Sequence, residues 1–236
     1  MDWTEAARDL TTTLGLAHPP LAISFHSDPP PGVPAFDAPM SDPTIDGRGG
    51  RVPASCVFWM HASHSRFSTV ATDHGNCSVG RFTHGFAGAE DIIDKDDVAA
   101  LLDVGWVTME AFAQVPQVQS QPGAIVYGPL AGADEPDIVF LRLDARQLME
   151  LADAVPDLEV TGKPQCQIIP RALDEGQVAA SLGCALSRAR TGMGDDEHTC
   201  AIPASRVEEI LRRLTSVRTA DLAVAGYAVE DARRFG

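Results

Sequence analysis

The sequence predicts an α+β fold in one compact domain, 1–236, and three observations predict it. Apolar residues recur at helical spacing in several windows. Short apolar runs bounded by Gly and Pro read as strands between those windows. The two kinds of segment follow one another without the strict alternation of a parallel α/β protein.

Taken in order, residues 3–16 form an amphipathic helix with Trp3, Ala6, Ala7, Leu10 and Leu14 on one face, stopped by Pro19 and Pro20. Leu21–Phe25 is a strand. Asp28 to Pro53 is rich in Pro and Gly, poor in core formers, and expected as an irregular surface excursion. A short helix over 55–66 precedes a strand at Phe67–Thr72. Asp97 is positioned to cap a longer helix carrying Val98, Leu101, Leu102, Met109 and Phe112. Gly123–Leu130 and Asp137–Leu143 are strands. Asp144 with Gln147, and Ser205 with Glu208, have capping-box spacing ahead of helices.

Charge and composition narrow the function. The chain of 236 residues carries 33 acidic against 18 basic groups, a net charge of −15, and its only lysines are Lys95 and Lys163. Nucleic-acid affinity rests on Lys and Arg displacing counterions, so nucleic acid and anionic membrane are poor partners. A small-molecule ligand fits better, with a homo-oligomer left open. No apolar run reaches membrane-spanning length, and Met1-Asp2-Trp3-Thr4-Glu5 is not the start of a secretory signal. A cytoplasmic protein is expected.

The cysteines hold the chemistry. Cys56, Cys77, Cys166, Cys184 and Cys200 are odd in number and too spread for a disulfide scaffold, and no C-x2-C pair marks a zinc ribbon or ferredoxin loop. Two segments nevertheless correspond. Cys77 with Arg81, Gly85 and Glu90, and Cys184 with Arg188, Gly192 and Glu197, both read C-x3-R-x3-G-apolar-x3-E. Each has a cysteine upstream, Cys56 and Cys166. This suggests two degenerate halves, 1–118 and 119–236, whose pseudo-symmetry would bring Cys56, Cys77, Cys166 and Cys184 to one metal site, with Cys200 apart. Four thiolates can hold zinc or an iron–sulfur cluster.

Asp73-His74-Gly75-Asn76-Cys77 offers a second chemistry. His74 and Cys77 are spaced to act as base and nucleophile, and Gly75 and Asn76 suit a turn whose backbone approaches a bound group. Gly80 and Arg81 follow at once. His61 and His64 could supplement a metal site. Around Cys184, Gly183 allows close backbone approach, and Arg188 or Arg190 could grip an anion unless Asp195, Asp196 or Glu197 pairs with them. P-loop, G-x-S-x-G and H-E-x-x-H signatures are missing.

These stretches resemble domain of unknown function 169, the ArCR family. The resemblance is carried by Ala54-Ser-Cys56-Val-Phe-Trp59, Asp73-His-Gly-Asn-Cys77-Ser-Val-Gly80, Val126-Tyr-Gly-Pro-Leu130, Glu135-Pro-Asp137-Ile-Val, Ser181-Leu-Gly-Cys184 with Arg188, and Asp195-Asp-Glu197 before Ile202-Pro203. Ala185-Leu186 stands where the family has Ala-Gly. The resemblance implies no particular reaction, but its cysteine-bearing signatures favour a bound redox cofactor. An iron–sulfur cluster with a redox role on a small molecule is therefore expected first, zinc or haem being the alternatives. A cofactor-free thiol enzyme using Cys77 and His74, and a non-catalytic sensor or carrier, remain the competing expectations.

Overall fold

A computed structural model describes residues 1–37 and 53–235. Its framework is a seven-stranded sheet in the order β2-β3-β1-β4-β7-β6-β5. The strands are β1 (Leu21–His26), β2 (Phe67–Thr69), β3 (Ala124–Pro129), β4 (Ile138–Leu143), β5 (Glu159–Thr161), β6 (Ala179–Ser181) and β7 (His198–Pro203). Neighbours are antiparallel except the β5–β6 edge pair, which is parallel. Residue 118 does not divide this sheet. β3 lies between β2 and β1, and β1 pairs with β4 through Leu21↔Phe140.

The central strands are largely apolar because both of their faces are covered. Alternation sends Ile23, Ile138 and Phe140 to one layer and Ala22, Val139, Leu141 and Leu143 to the other. The second layer holds α1 (Trp3–Leu14), α7 (Ala145–Ala154) and α10 (Val207–Phe235), which insert Leu10, Leu14, Leu151, Ile210 and Leu214. The first holds α2 (Ser55–His61), α3 (Ser78–Thr83), α4 (Ala89–Ile92), α5 (Asp96–Asp103), α6 (Met109–Phe112), α8 (Ile168–Leu173) and α9 (Ala185–Thr191). There Phe58, Trp59, Phe82, Ile168 and Ile169 meet the sheet. No helix among the described residues is long and apolar enough to cross a membrane.

Several boundaries differ from expectation, each for a local reason. α1 stops at Leu14 because Gly15 takes the left-handed conformation, φ +68°, and closes the helix. α2 ends at His61, five residues early, and β2 at Thr69, where a 3₁₀ turn over Ala71–His74 begins. The long helix expected from Asp97 is two, α5 and α6, interrupted at Gly105 with φ +65°. Asp97 lies inside α5; its carboxylate accepts from the Ser78 amide at 2.8 Å and hydroxyl at 2.7 Å, bracing the start of α3. The Asp144–Gln147 box forms, with contacts of 2.7 and 2.8 Å. Ser205 instead sits in a 3₁₀ turn, Ala204–Arg206, that leads into α10. Of the Asp28–Pro53 excursion, 38–52 lie outside the described residues. The part before them is irregular, yet Phe36 packs on Phe58 and Phe67 at ring separations of 4.9 Å.

Candidate functional site: a pocket lined by four cysteines

Four segments of the first layer bring one cysteine each to a single pocket. Cys56 lies in the first turn of α2, and Cys77 and Cys184 are the residues that open α3 and α9. Cys166 sits in the 3₁₀ turn Gln165–Gln167 ahead of α8. Placing each cysteine at or near the start of a helix is how residues 128 positions apart share one wall. Cys77 shows the geometry: its Sγ accepts the Gly80 amide at 3.4 Å. Gly80 also allows α2 and α3 to close up, since a Cβ there would stand 2.9 Å from Ser55 Oγ. The cavity measures ≈ 40 Å³ and opens to solvent.

Burial disfavours the thiolate form of Cys56, Cys77 and Cys166. Burial pushes Cys56 up to about 12, with Cys77 and Cys184 nearby adding to the rise. Burial also raises Cys77 and lifts Cys166 well above the usual thiol range. Arg190 opposes this for Cys56 and Cys77, bonding to Cys77 from α9. Cys56, Cys77 and Cys166 are thus thiols whose ionised forms are destabilised by burial, with the Arg190 cation beside Cys56 and Cys77. Such a group ionises when something positive arrives to replace the protons. Among the described residues, no three His, Cys, Asp or Glu side chains stand close enough to share one metal ion. A single zinc ion would need sulfurs at about 2.3 Å from it, and the arrangement does not supply that. Trp59 and Gln165, which line the pocket, each bury a polar atom, Nε1 and Oε1, that lacks a hydrogen-bond partner.

One protein-family model matches residues 9–213, a span that includes every cysteine. The chain belongs to the DUF169 family, described as uncharacterised ArCR. No curated protein and no solved structure matches it.

The remaining candidates of this DUF169 chain divide sharply. Cys200 is buried in the opposite layer, on β7 beside Leu141, and serves as a small core residue. His74 does not pair with Cys77. Its Nδ1 meets Ser55 Oγ at 2.8 Å and its Nε2 meets Thr69 Oγ1 at 2.9 Å, so both ring nitrogens are engaged. Burial, then His84 and Arg81, hold its pKa well below the usual imidazole range. It is a neutral strut between α2 and β2 instead of a base. Gly75 and Arg81 line a second, polar cleft with Asp91 and Lys95, which none of the cysteines lines. Asn76 is buried, and its backbone N–H donates to Pro53 O at 3.3 Å. His61 packs against Phe36 at 5.3 Å between rings, and neither it nor His64 reaches the pocket.

Arg188 is also structural. Its guanidinium donates to the carbonyls of Leu182 at 3.0 Å, Glu197 at 2.7 Å and Gly194, tying the loops around α9 together. Gly183, at φ +112°, makes room for it: a Cβ there would lie 2.8 Å from the guanidinium. Glu197 pairs with Arg142 on β4, not with the arginines of α9. The arginine at the pocket is Arg190, two residues on and turned to the other side of the same helix. Trp59, Gln165 and Ser187 are pocket residues that sequence reasoning missed. For Trp59 the signal was present, in its place within the Cys56 stretch.

Proposed function

We propose that this pocket holds a thiol-bound redox cofactor, an iron–sulfur cluster, with Cys56, Cys77, Cys166 and Cys184 as its ligands. The observation that carries the reading is the meeting of four cysteines, from four separate segments, in one pocket that excludes the fifth. A multi-iron cluster tolerates wider spacing between sulfurs than one zinc ion does, in keeping with thiols that line a wall. The cavity volume, ≈ 40 Å³, favours a compact inorganic group over a haem.

A bound cluster supplies one-electron transfer. The chain's part is to hold it: α2, α3, α9 and the turn before α8 fix the sulfurs, and Arg190 offsets their charge. Trp59 and Phe140, with ring centres 4.6 Å apart, keep water from the inner side. A small molecule as redox partner suits the acidic composition, and unpaired thiols suit a reducing cytoplasm. The thiol-enzyme reading loses its base, because His74 is occupied by Ser55 and Thr69.

The test is anaerobic reconstitution of the full chain with ferrous iron and sulfide. Expected are broad visible absorption and stoichiometric iron and sulfide, lost on Ser substitution at Cys56, Cys77, Cys166 or Cys184 and retained in Cys200→Ser. A chain that stays colourless and iron-free overturns the reading.

A further inference from the structure

At ≈ 40 Å³ the thiol pocket has room for about three water molecules, so a larger ligand enters only when a wall moves. The walls are not held equally. α2 buries Phe58 and Trp59, and the turn before α8 buries Gln165, Cys166 and Gln167. Leu101 and Trp106 line the pocket from α5 and from the turn between α5 and α6. Within those two helices only Val98 and Phe112 are buried, and Val104, which ends α5, and Met109, which begins α6, stay exposed. Segments with few buried side chains are the ones that open at least cost. One end of this segment is fixed, because the Asp97 carboxylate accepts the amide and the hydroxyl of Ser78 on α3. The other end is tied to a different wall. Lys163 Nζ lies 4.3 Å from the centre of the Trp106 ring, and Lys163 directly precedes Pro164 and Gln165, which line the pocket. Trp106 is half-buried and Lys163 exposed, so this contact sits at the rim.

We propose that the α5–α6 turn is a lid on the thiol pocket, latched by the Lys163–Trp106 contact, and that Trp106 sets how large a molecule reaches the cysteines. Access alone is at issue, so the lid goes beyond the cofactor reading and does not depend on it. The ammonium is drawn to the electron-rich face of the indole, an attraction that arginine keeps and an uncharged side chain loses. Opening breaks this contact and no covalent bond. Swung out, the indole adds its own volume to the space that the cysteines line.

The experiment times modification of the reduced full chain by 4,4′-dithiodipyridine, an uncharged reagent larger than the closed pocket, and locates the modified cysteines by peptide mass. Lys163→Met should react about 2- to 5-fold faster than wild type at Cys56, Cys77, Cys166 and Cys184, while Lys163→Arg keeps the wild-type rate. Trp106→Ala, which removes the indole itself, should react faster than Lys163→Met. Cys200, buried in the opposite layer, should stay unmodified throughout and shows that the fold is intact. Equal rates in wild type and Lys163→Met, or in wild type and Trp106→Ala, overturn the inference. A wild-type rate equal to that of the urea-unfolded chain overturns it too. If Trp106→Ala unfolds and exposes Cys200, the two variants at the exposed position 163 still decide: equal rates in Lys163→Met and Lys163→Arg overturn the inference.

Discussion

The two layers that cover the sheet are built to different specifications. The layer of α1, α7 and α10 follows the ordinary rules of stability. Asp2 caps α1 and the Asp144–Gln147 box caps α7. Glu150, almost fully buried, pairs with Arg146 at 2.7 Å and with Arg218 at 2.6 Å. The pocket layer breaks those rules. Its helices around the cysteines run 6 or 7 residues, and thiols stand where Ser or Asp would cap best. Buried imidazole, indole and phenol groups lack partners at His84 Nε2, Trp59 Nε1 and Tyr127 OH. Short helices contribute little stability on their own. The continuous core on the far side of the sheet is what lets the near side carry neutral thiols and unpaired donors.

That contrast can be broken by measurement. The largest effect is expected in the stabilising layer, where Leu151→Ala should cost about 2–5 kcal/mol in urea unfolding because it leaves a cavity. Iron uptake per folded molecule should be unchanged. A loss of uptake without unfolding would show the layers to be coupled.

The next effect belongs to the pocket layer. Burial lowers the pKa of His84 to about 4, from the value near 6.5 it regains when unfolded. Between those pH values the unfolded chain binds a proton that the folded chain does not. Stability should therefore fall by about 3 kcal/mol as pH drops from about 6.5 to about 4, and stay level above that window. His84→Gln should remove that share of the slope; an unchanged slope in chemical unfolding at stepped pH would contradict it.

Smaller effects sharpen the contrast. Asp144→Ala removes a capping box and should cost about 1 kcal/mol, read as a lower urea midpoint at constant slope. The smallest lies at the end of α10. Leu222, Val224 and Tyr227 are exposed there, so deleting residues 222–236 should change stability by less than about 0.5 kcal/mol. A larger loss would mean that the exposed end of this helix is covered in solution.

Local rules made most of the frame legible before the structure. Ile138-Val-Phe-Leu141 reads as a strand because nothing else accommodates four large apolar residues between a Pro-Asp turn and a capping box. Trp3–Leu14 and Ala145–Ala154 show their buried faces by spacing alone. The strands β5, β6 and β7 were not visible. Glu159–Thr161 and Ala179–Ser181 are three residues each, too short for a pattern, and exist because β7 offers an edge to β6 and β6 one to β5.

The site divides in the same way. The matched C-x3-R patterns singled out Cys77 and Cys184, and their upstream partners added Cys56 and Cys166, since a helix-opening residue leaves a local trace. Which arginine faces those thiols left none. Arg188 and Arg190 differ by two positions, about 200° around a helix at 3.6 residues per turn, and only the packing of α9 assigns one to the loops and the other to the pocket. His74 was misread for a related reason. Three residues from Cys77 in sequence, it finds its hydroxyl partners on Ser55 and Thr69, from two other segments. Sequence alone determined which residues open helices and which faces are apolar, because those are properties of neighbours along the chain. Tertiary structure decided which side chains share a pocket, because that depends on contacts between segments that meet only when the sheet has formed.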